Sequence, residues 1–133
     1  MKYFISYRHT GAEEPRLGQL QQVIKEAFST RPNDEFYSTY FKQDLFDTGN
    51  MSAAQIMRHA FDVIDSNDIL LVILDSEIKS EGMLIEVGYC LAKNKKIIVA
   101  VNSSVKNTYV QDLADHAFTY DSLADLKQKI INY

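Results

Sequence analysis

Two apolar runs separated by one helix-length segment constrain the fold of this chain more than any other feature. The first run is DILLVIL, residues 68–74, and the second is KIIVAV, residues 96–101. After their first residues, Asp68 and Lys96, both are aliphatic and lack alternating polar positions, which is typical of strands buried on both faces of a parallel sheet. The segment between them, about residues 81–94, predicts a helix that connects the two strands.

The rest of the chain continues this alternation of strand and helix. KYFISY (2–7) is an aromatic and β-branched run that ends in polar residues, so it predicts the first strand. The next segment has Pro15 in its first turn and apolar residues at three- and four-residue spacing, which predicts an amphipathic helix. The remaining predicted elements are a second strand near 35–39, a helix over about 52–65, a helix around 107–115, a short strand AFTY (117–120) and a helix from Ser122 to the end, capped by Asp121 or Ser122.

Five strands and five helices in this order predict one α/β domain spanning residues 1–133. We expect a flavodoxin-like, doubly wound, five-stranded parallel sheet of order 2-1-3-4-5 with helices on both faces. Ligands of such sheets bind beyond the carboxyl ends of the strands where the order reverses, here between strands one and three. The loops SYRHTGAEE and LDSEIKSEG follow those two strands and are the expected walls of a binding crevice.

Composition and charge exclude several classes of function. A net charge of −4 and the lack of a long basic run argue against duplex nucleic-acid binding, which depends on neutralising phosphates. Cys90 is the only cysteine and no apolar stretch of about 18 residues occurs, so a cytoplasmic protein without a disulfide or membrane contact is expected. His59 and His116 lack metal-ligand spacing, so neither a metal nor another cofactor is expected, and the partner should be a small molecule.

One carboxylate, Glu86, lies inside an apolar part of the predicted helix that follows the third strand. With Ser80 as the N-cap, Glu86 falls in the second turn, on the side facing the crevice. Gly82 and Gly88 flank it, and each glycine costs a helix about 1 kcal/mol relative to alanine. The pattern therefore predicts close approach of backbone or ligand, the alternative being that Glu86 is an ordinary solvated helix residue.

The stretch from residue 68 to residue 101 resembles the signature of the nucleoside 2-deoxyribosyltransferase superfamily, which includes the 2′-deoxynucleoside 5′-phosphate N-hydrolases. In that family an apolar strand precedes a Gly-x-x-x-Glu-φ-Gly-Tyr helix, where φ is apolar. The matching residues are Gly82, Glu86, Val87, Gly88 and Tyr89. The resemblance implies cleavage or transfer of the N-glycosidic bond of a (deoxy)nucleoside or nucleoside 5′-monophosphate, with Glu86 as the nucleophile.

The same resemblance implies further roles. Tyr3 stands where the family often has an aromatic residue near the sugar. The aspartate expected to protonate the leaving base falls on Ala60, so Asp62 and Asp75 are the alternative proton donors. Members of the superfamily commonly form oligomers, which implies a homo-oligomer here.

The position six residues before Glu86 resembles the nucleotide hydrolases, because it is Ser80 and not an acid as in the base-exchanging transferases. A serine at a helix N-terminus suits a phosphate, although a plain N-cap is an equal alternative. Arg8 is the best phosphate partner by charge and geometry. The first loop brings to the same crevice Ser6, Tyr7, Arg8, His9 and Gly11.

Two other functional classes stay open. The start FISYRHTG also resembles Toll/interleukin-1 receptor (TIR) domains, some of which cleave NAD while others are signalling modules, although this chain lacks the tryptophan those domains usually have. A non-catalytic nucleotide-binding domain is the third alternative, and Ala60 in place of an aspartate favours it.

Overall fold

The computed structural model describes residues 1–8, 14–38 and 51–133. Its strands are β1 (Lys2–Tyr7), β2 (Glu35–Tyr37), β3 (Ile69–Leu74), β4 (Lys96–Asn102) and β5 (His116–Tyr120). They form one sheet of order β2-β1-β3-β4-β5 in which every neighbouring pair is parallel. The predicted fold class and strand order are confirmed.

The α-helices of these residues are α1 (Glu14–Ser29), α2 (Ala53–Asp65), α3 (Glu81–Ala92) and α4 (Leu123–Ile131). Ser52, Ser80 and Ser122 cap the last three, each by accepting a hydrogen bond from a backbone N–H in the first turn. Ser122, not Asp121, is thus the cap of α4. None of the helices in the described segments is both long and apolar enough to cross a membrane.

Every residue of β3 is buried, as are the central residues of β4, because helices cover both faces of the sheet. On one face Tyr3 of β1 packs edge-on against Phe28 of α1, and α1 packs against α4. On the opposite face α3 contacts β1, β3 and β4, and α2 packs against α3. Successive side chains of a strand point to opposite faces, so Tyr3 and Ser6 of β1 face different helical layers.

The predicted helix around 107–115 is wrong. Only a 3-10 helix, Val110–Leu113, forms there. The Thr108 hydroxyl oxygen accepts the Val110 N–H at 3.2 Å, and the Asn107 side chain donates to the Glu77 carbonyl at 3.3 Å. Such side-chain bonds to the backbone compete with helix formation, and here they tie the segment to the loop after β3.

Candidate active site

Glu86 is a buried carboxylate on α3, with only 6% of its surface exposed. Its helix buries Met83, Val87 and Cys90 along with it, which is the spacing of a core-facing helical stripe. Glu86 therefore occupies a position that an apolar residue would normally fill. This burial does not fit the alternative of an ordinary solvated helix residue, and the role of Glu86 toward a ligand stays a prediction.

Within the described segments the Glu86 carboxyl has one hydrogen-bonding partner, Ser6 of β1, whose hydroxyl donates to Oε1 at 2.5 Å. Ser6 is itself buried. Burial raises the pKa of Glu86 from 4.5 to about 7, against the opposing effect of the Ser6 hydrogen bond. In the described residues Oε2 has no hydrogen-bond partner, so one carboxyl oxygen is oriented and the other is unengaged.

The two glycines of α3 are not crowded by the protein. A Cβ added at Gly82 would meet its nearest atom, the Met57 sulfur, at 3.8 Å, which is an ordinary contact. A Cβ at Gly88 would meet nothing within 4 Å. The predicted close approach of backbone to these glycines is therefore not seen in the described residues.

A cavity of about 430 Å³ lies at the carboxyl ends of β1 and β3, between α1 and the start of α3. The described residues of its polar lining are Tyr7, Arg8, Arg16, Asp75 and Ser76, and those of its apolar lining are Leu17, Leu20, Ile73, Leu74, Ile78 and Met83. This is the crevice that the strand order predicts.

Glu86 lies next to this cavity and is not among its described lining residues. Met83 of the lining is one turn before Glu86 on α3, and Tyr7 of the lining follows Ser6 on β1. Because adjacent strand residues point to opposite faces, Tyr7 and Ser6 flank the end of β1 from its two sides. The cavity and the carboxylate are thus neighbours across the carboxyl end of one strand.

Asp75, directly after β3, is held by four hydrogen bonds. Arg16 donates through Nε to Oδ2 at 2.7 Å and through Nη2 to Oδ1 at 2.8 Å, while Tyr120 and Asn102 donate to Oδ1 at 2.6 and 3.1 Å. Burial acts to raise the pKa of Asp75, but the bonds from Arg16, Tyr120 and Asn102 outweigh it and lower the pKa below 3.8. An ionised carboxylate has no proton to give, which argues against Asp75 as the proton donor.

Asp62 is exposed on α2. The residues of α2 that face the core are Ala60 and Ile64, and a residue two positions from Ala60 lies on nearly the opposite side of a helix. The structure therefore does not bring the Asp62 carboxyl to Glu86. Ala60, where the resemblance expects an aspartate, is buried.

Tyr3 is also not brought to Glu86. Its ring packs on Phe28, and its hydroxyl accepts a hydrogen bond from Arg31 at 2.8 Å. Tyr3 and Ser6 are an odd number of residues apart on β1 and face opposite layers, so the Tyr3 ring points away from Glu86. A contact of Tyr3 with the sugar stays a prediction.

Of the residues predicted to bind a phosphate, some line the cavity, one caps α3 and two are not described. Arg8 and Tyr7 line the cavity. The Ser80 hydroxyl accepts the Met83 N–H at 3.2 Å as an N-cap, so a phosphate contact by Ser80 stays a prediction. His9 and Gly11 lie outside the described residues.

The sequence interpretation missed Arg16, which lines the cavity, and the two residues that donate hydrogen bonds to Asp75 beside it, Asn102 and Tyr120. Asn102 and Tyr120 end β4 and β5, and a polar residue at the carboxyl end of a parallel strand was an available signal. Cys90 is excluded as a nucleophile, because burial, with a smaller effect of Glu86, raises the pKa of its thiol to about 12. The described residues contain no group of three or more His, Cys, Asp or Glu side chains that would hold a metal ion.

A doubly wound α/β sheet with a buried carboxyl beside its switch-point crevice defines a class of small-ligand-binding proteins. The sequence profile described as "Nucleoside 2-deoxyribosyltransferase" matches residues 12–123, and the chain belongs to that family. No curated protein matches the sequence.

Solved structures with the same fold have low sequence identity to this chain. A CMP N-glycosidase from Clostridium botulinum aligns over 100% of this chain and 99% of its own, with a TM-score of 0.68 and 19% identity. A 2-deoxyribosyltransferase from Bacillus psychrosaccharolyticus aligns over 100% and 92%, with a TM-score of 0.68 and 16% identity. A conserved protein from Enterococcus faecalis aligns over 98% and 97%, with the same score and 13% identity.

Proposed function

We propose that this protein cleaves or transfers the N-glycosidic bond of a nucleoside or nucleoside 5′-monophosphate, with Glu86 as the nucleophile. The buried Glu86 carboxyl, oriented by Ser6 next to the switch-point cavity, is the observation that carries the proposal. Membership of the nucleoside 2-deoxyribosyltransferase family supports the reaction class.

The chemistry requires a carboxylate at the anomeric carbon. Departure of the base leaves a sugar with oxocarbenium character, and a nearby anion stabilises that charge or bonds to the carbon as a glycosyl-enzyme. Ser6 holds Oε1 and leaves Oε2 for the attack. With a pKa of about 7, the ionised form of Glu86 that attacks the anomeric carbon is accessible near neutral pH and gains population as the pH rises.

A nucleoside 5′-monophosphate is the better substrate class in this proposal. Arg8 lines the cavity, and the Ser80 cap begins the helix that carries Glu86. A helix N-terminus and a guanidinium both favour a phosphate. Binding energy from the remote phosphate then serves to position the reacting carbon.

We also propose that the protein self-associates through α3. Leu84, Ile85 and Leu91 of this helix are exposed, although large apolar side chains on one helix face are usually covered. Light scattering of the wild type and of Leu84→Lys tests this: we expect an oligomer that the charged variant weakens, and a wild-type monomer contradicts it.

The decisive experiment incubates wild-type protein and Glu86→Gln with a panel of nucleosides, nucleoside 5′-monophosphates and NAD, and measures released base by chromatography. The amide keeps the shape of Glu86 but lacks the charge, so turnover should disappear while binding by calorimetry persists. Activity of Glu86→Gln within a few-fold of wild type contradicts the nucleophile role. Release of nicotinamide alone favours the NAD-cleaving alternative, and binding without release of any base favours the non-catalytic one.

A further inference from the structure

Arg16 lines the cavity from the first turn of α1. Its side chain is 39% exposed, whereas its partner Asp75 is 12% exposed. Arg16 therefore reaches from the solvent side of the cavity to a carboxylate at the cavity wall. Because Arg16 is more than a third exposed, solvent screening reduces what the pair adds to stability. The pair also places a guanidinium at the cavity wall.

The Asp75 network fixes the orientation of the Arg16 guanidinium. Nε and Nη2 both bond to the Asp75 carboxylate, and that carboxylate is held in turn by Tyr120 and Asn102 from the ends of β5 and β4. Nη1 of Arg16 has no hydrogen-bond partner in the described part of the chain. The Arg16 guanidinium is therefore held in one orientation at the cavity wall, with Nη1 available to a ligand.

We propose that Arg16 is a substrate-positioning residue that binds the phosphate monoester of a sugar phosphate or nucleotide in this cavity. In this role Arg16 selects phosphorylated ligands for the Glu86 site, an assignment that rests on the proposed function. Phosphate oxygens match the donor fork of a guanidinium. Asp75 already holds the Arg16 side chain in one orientation, so little further conformational entropy is lost when a ligand binds, which favours binding.

Charge and size agree with a phosphate ligand. Among the described residues, Arg8 and Arg16 line the cavity against one aspartate, Asp75, whose charge is engaged by four hydrogen bonds. The volume of about 430 Å³ lies within the range of roughly 300–1,000 Å³ that small-molecule sites occupy. The apolar lining from Leu17, Leu20 and Ile78 leaves room for the rest of such a ligand beside the charged wall.

Calorimetry with 2-deoxyribose 5-phosphate and 2-deoxyribose tests the proposal without turnover, because neither probe has a base to release. The wild type should bind the phosphate at least tenfold more tightly than the sugar. The double variant Arg16→Gln/Asp75→Asn replaces the ion pair by a neutral amide pair, and it should lose about tenfold to a hundredfold in phosphate affinity. Affinity for the unphosphorylated sugar should not change.

Lys129→Gln is the matched control, since it removes one positive charge from an exposed site on α4, away from the cavity. It should bind both probes like the wild type. If the double variant does not fold, Arg16→Lys provides the same test, because lysine keeps the charge but lacks Nη1, and about tenfold weaker phosphate binding is expected.

If the folded double variant, or Arg16→Lys, binds 2-deoxyribose 5-phosphate as tightly as the wild type does, the proposal is overturned. The Arg16–Asp75 pair then has only a structural role. Equal wild-type affinities for the two probes would overturn it as well. Phosphate-selective binding that depends on Arg16, in a protein that releases no base, would refute the proposed function and leave the phosphate site standing.

Discussion

Replacing Glu86 by glutamine should stabilise the protein at pH 8 and leave its stability nearly unchanged at pH 4.5. Glutamine is close in shape to a protonated glutamate and can still accept the hydrogen bond from Ser6, so the folded structure should persist. What the substitution removes is the cost of holding an ionised carboxylate in a buried position.

The sign and the size of this effect follow from the pKa of Glu86. Burial raises the folded-state pKa from 4.5 to about 7 despite the Ser6 hydrogen bond, so folding favours the neutral form. The stability associated with that form is fully present below pH 4.5 and is lost as the pH rises through about 7. At 1.36 kcal/mol per pH unit, the total loss is about 3 kcal/mol, most of it between pH 5 and pH 8.

Denaturant unfolding at pH 5 and pH 8 measures this quantity when each variant is compared with wild type at the same pH. The comparison cancels the other groups that titrate in this range. Glu81→Gln is the control, because Glu81 is exposed on the same helix and its effect should not differ between the two pH values. If the gain from Glu86→Gln is the same at pH 5 and pH 8, Glu86 is not a carboxyl with a raised pKa, and the reasoning fails.

Three further substitutions test the candidate site. Ser6→Ala removes a hydrogen bond to the carboxylate worth about 1.5–3 kcal/mol, so the acidic limb of the pH–rate profile should move up by about one to two pH units, with activity recovering at higher pH; an unmoved limb contradicts this. Arg8→Ala should lower kcat/KM about tenfold to a hundredfold for a deoxynucleoside 5′-monophosphate and hardly affect the nucleoside, and an equal loss on both would remove Arg8 from phosphate binding. Asp62→Asn should leave turnover within about twofold, because Asp62 is exposed on the outer side of α2; a large loss confined to poor leaving groups would restore it as the proton donor.

Local sequence pattern was sufficient for the central part of the fold. β3 and the central residues of β4 are aliphatic runs, and a helix between two such runs leaves parallel pairing as the simple solution. The segment 107–115 was not predictable in this way, because Asn107 and the backbone of Lys106 bond to Glu77 in a distant loop. Those bonds depend on the tertiary structure and leave no trace in local helical periodicity.

The residues of the candidate site were likewise predictable only where local sequence determines them. Glu86 and Ser6 were candidates from sequence, but their pairing across 80 residues required the sheet register. The placement of Tyr3 opposite Ser6 follows from strand periodicity alone and was predictable. The position of Arg16 at the cavity was not predictable, because its partner Asp75 is 59 residues away and an arginine near a helix start has no distinctive sequence pattern.

Glu86 breaks the rule that a helical stripe between Met83 and Cys90 should be apolar, and the surroundings do little to compensate. One hydrogen bond from Ser6 opposes a desolvation strong enough to raise the pKa to about 7. Asp75, by contrast, is also shielded from water but receives four hydrogen bonds and stays ionised. The two carboxyls therefore suit different tasks. Asp75 uses its hydrogen bonds to orient Arg16, Tyr120 and Asn102. Glu86 has a pKa of about 7 and, among the described residues, one carboxyl oxygen without a hydrogen-bond partner. Local violations of this kind concentrate at functional sites, and a glutamate that destabilises its own fold beside the crevice is what the proposed nucleophile role requires.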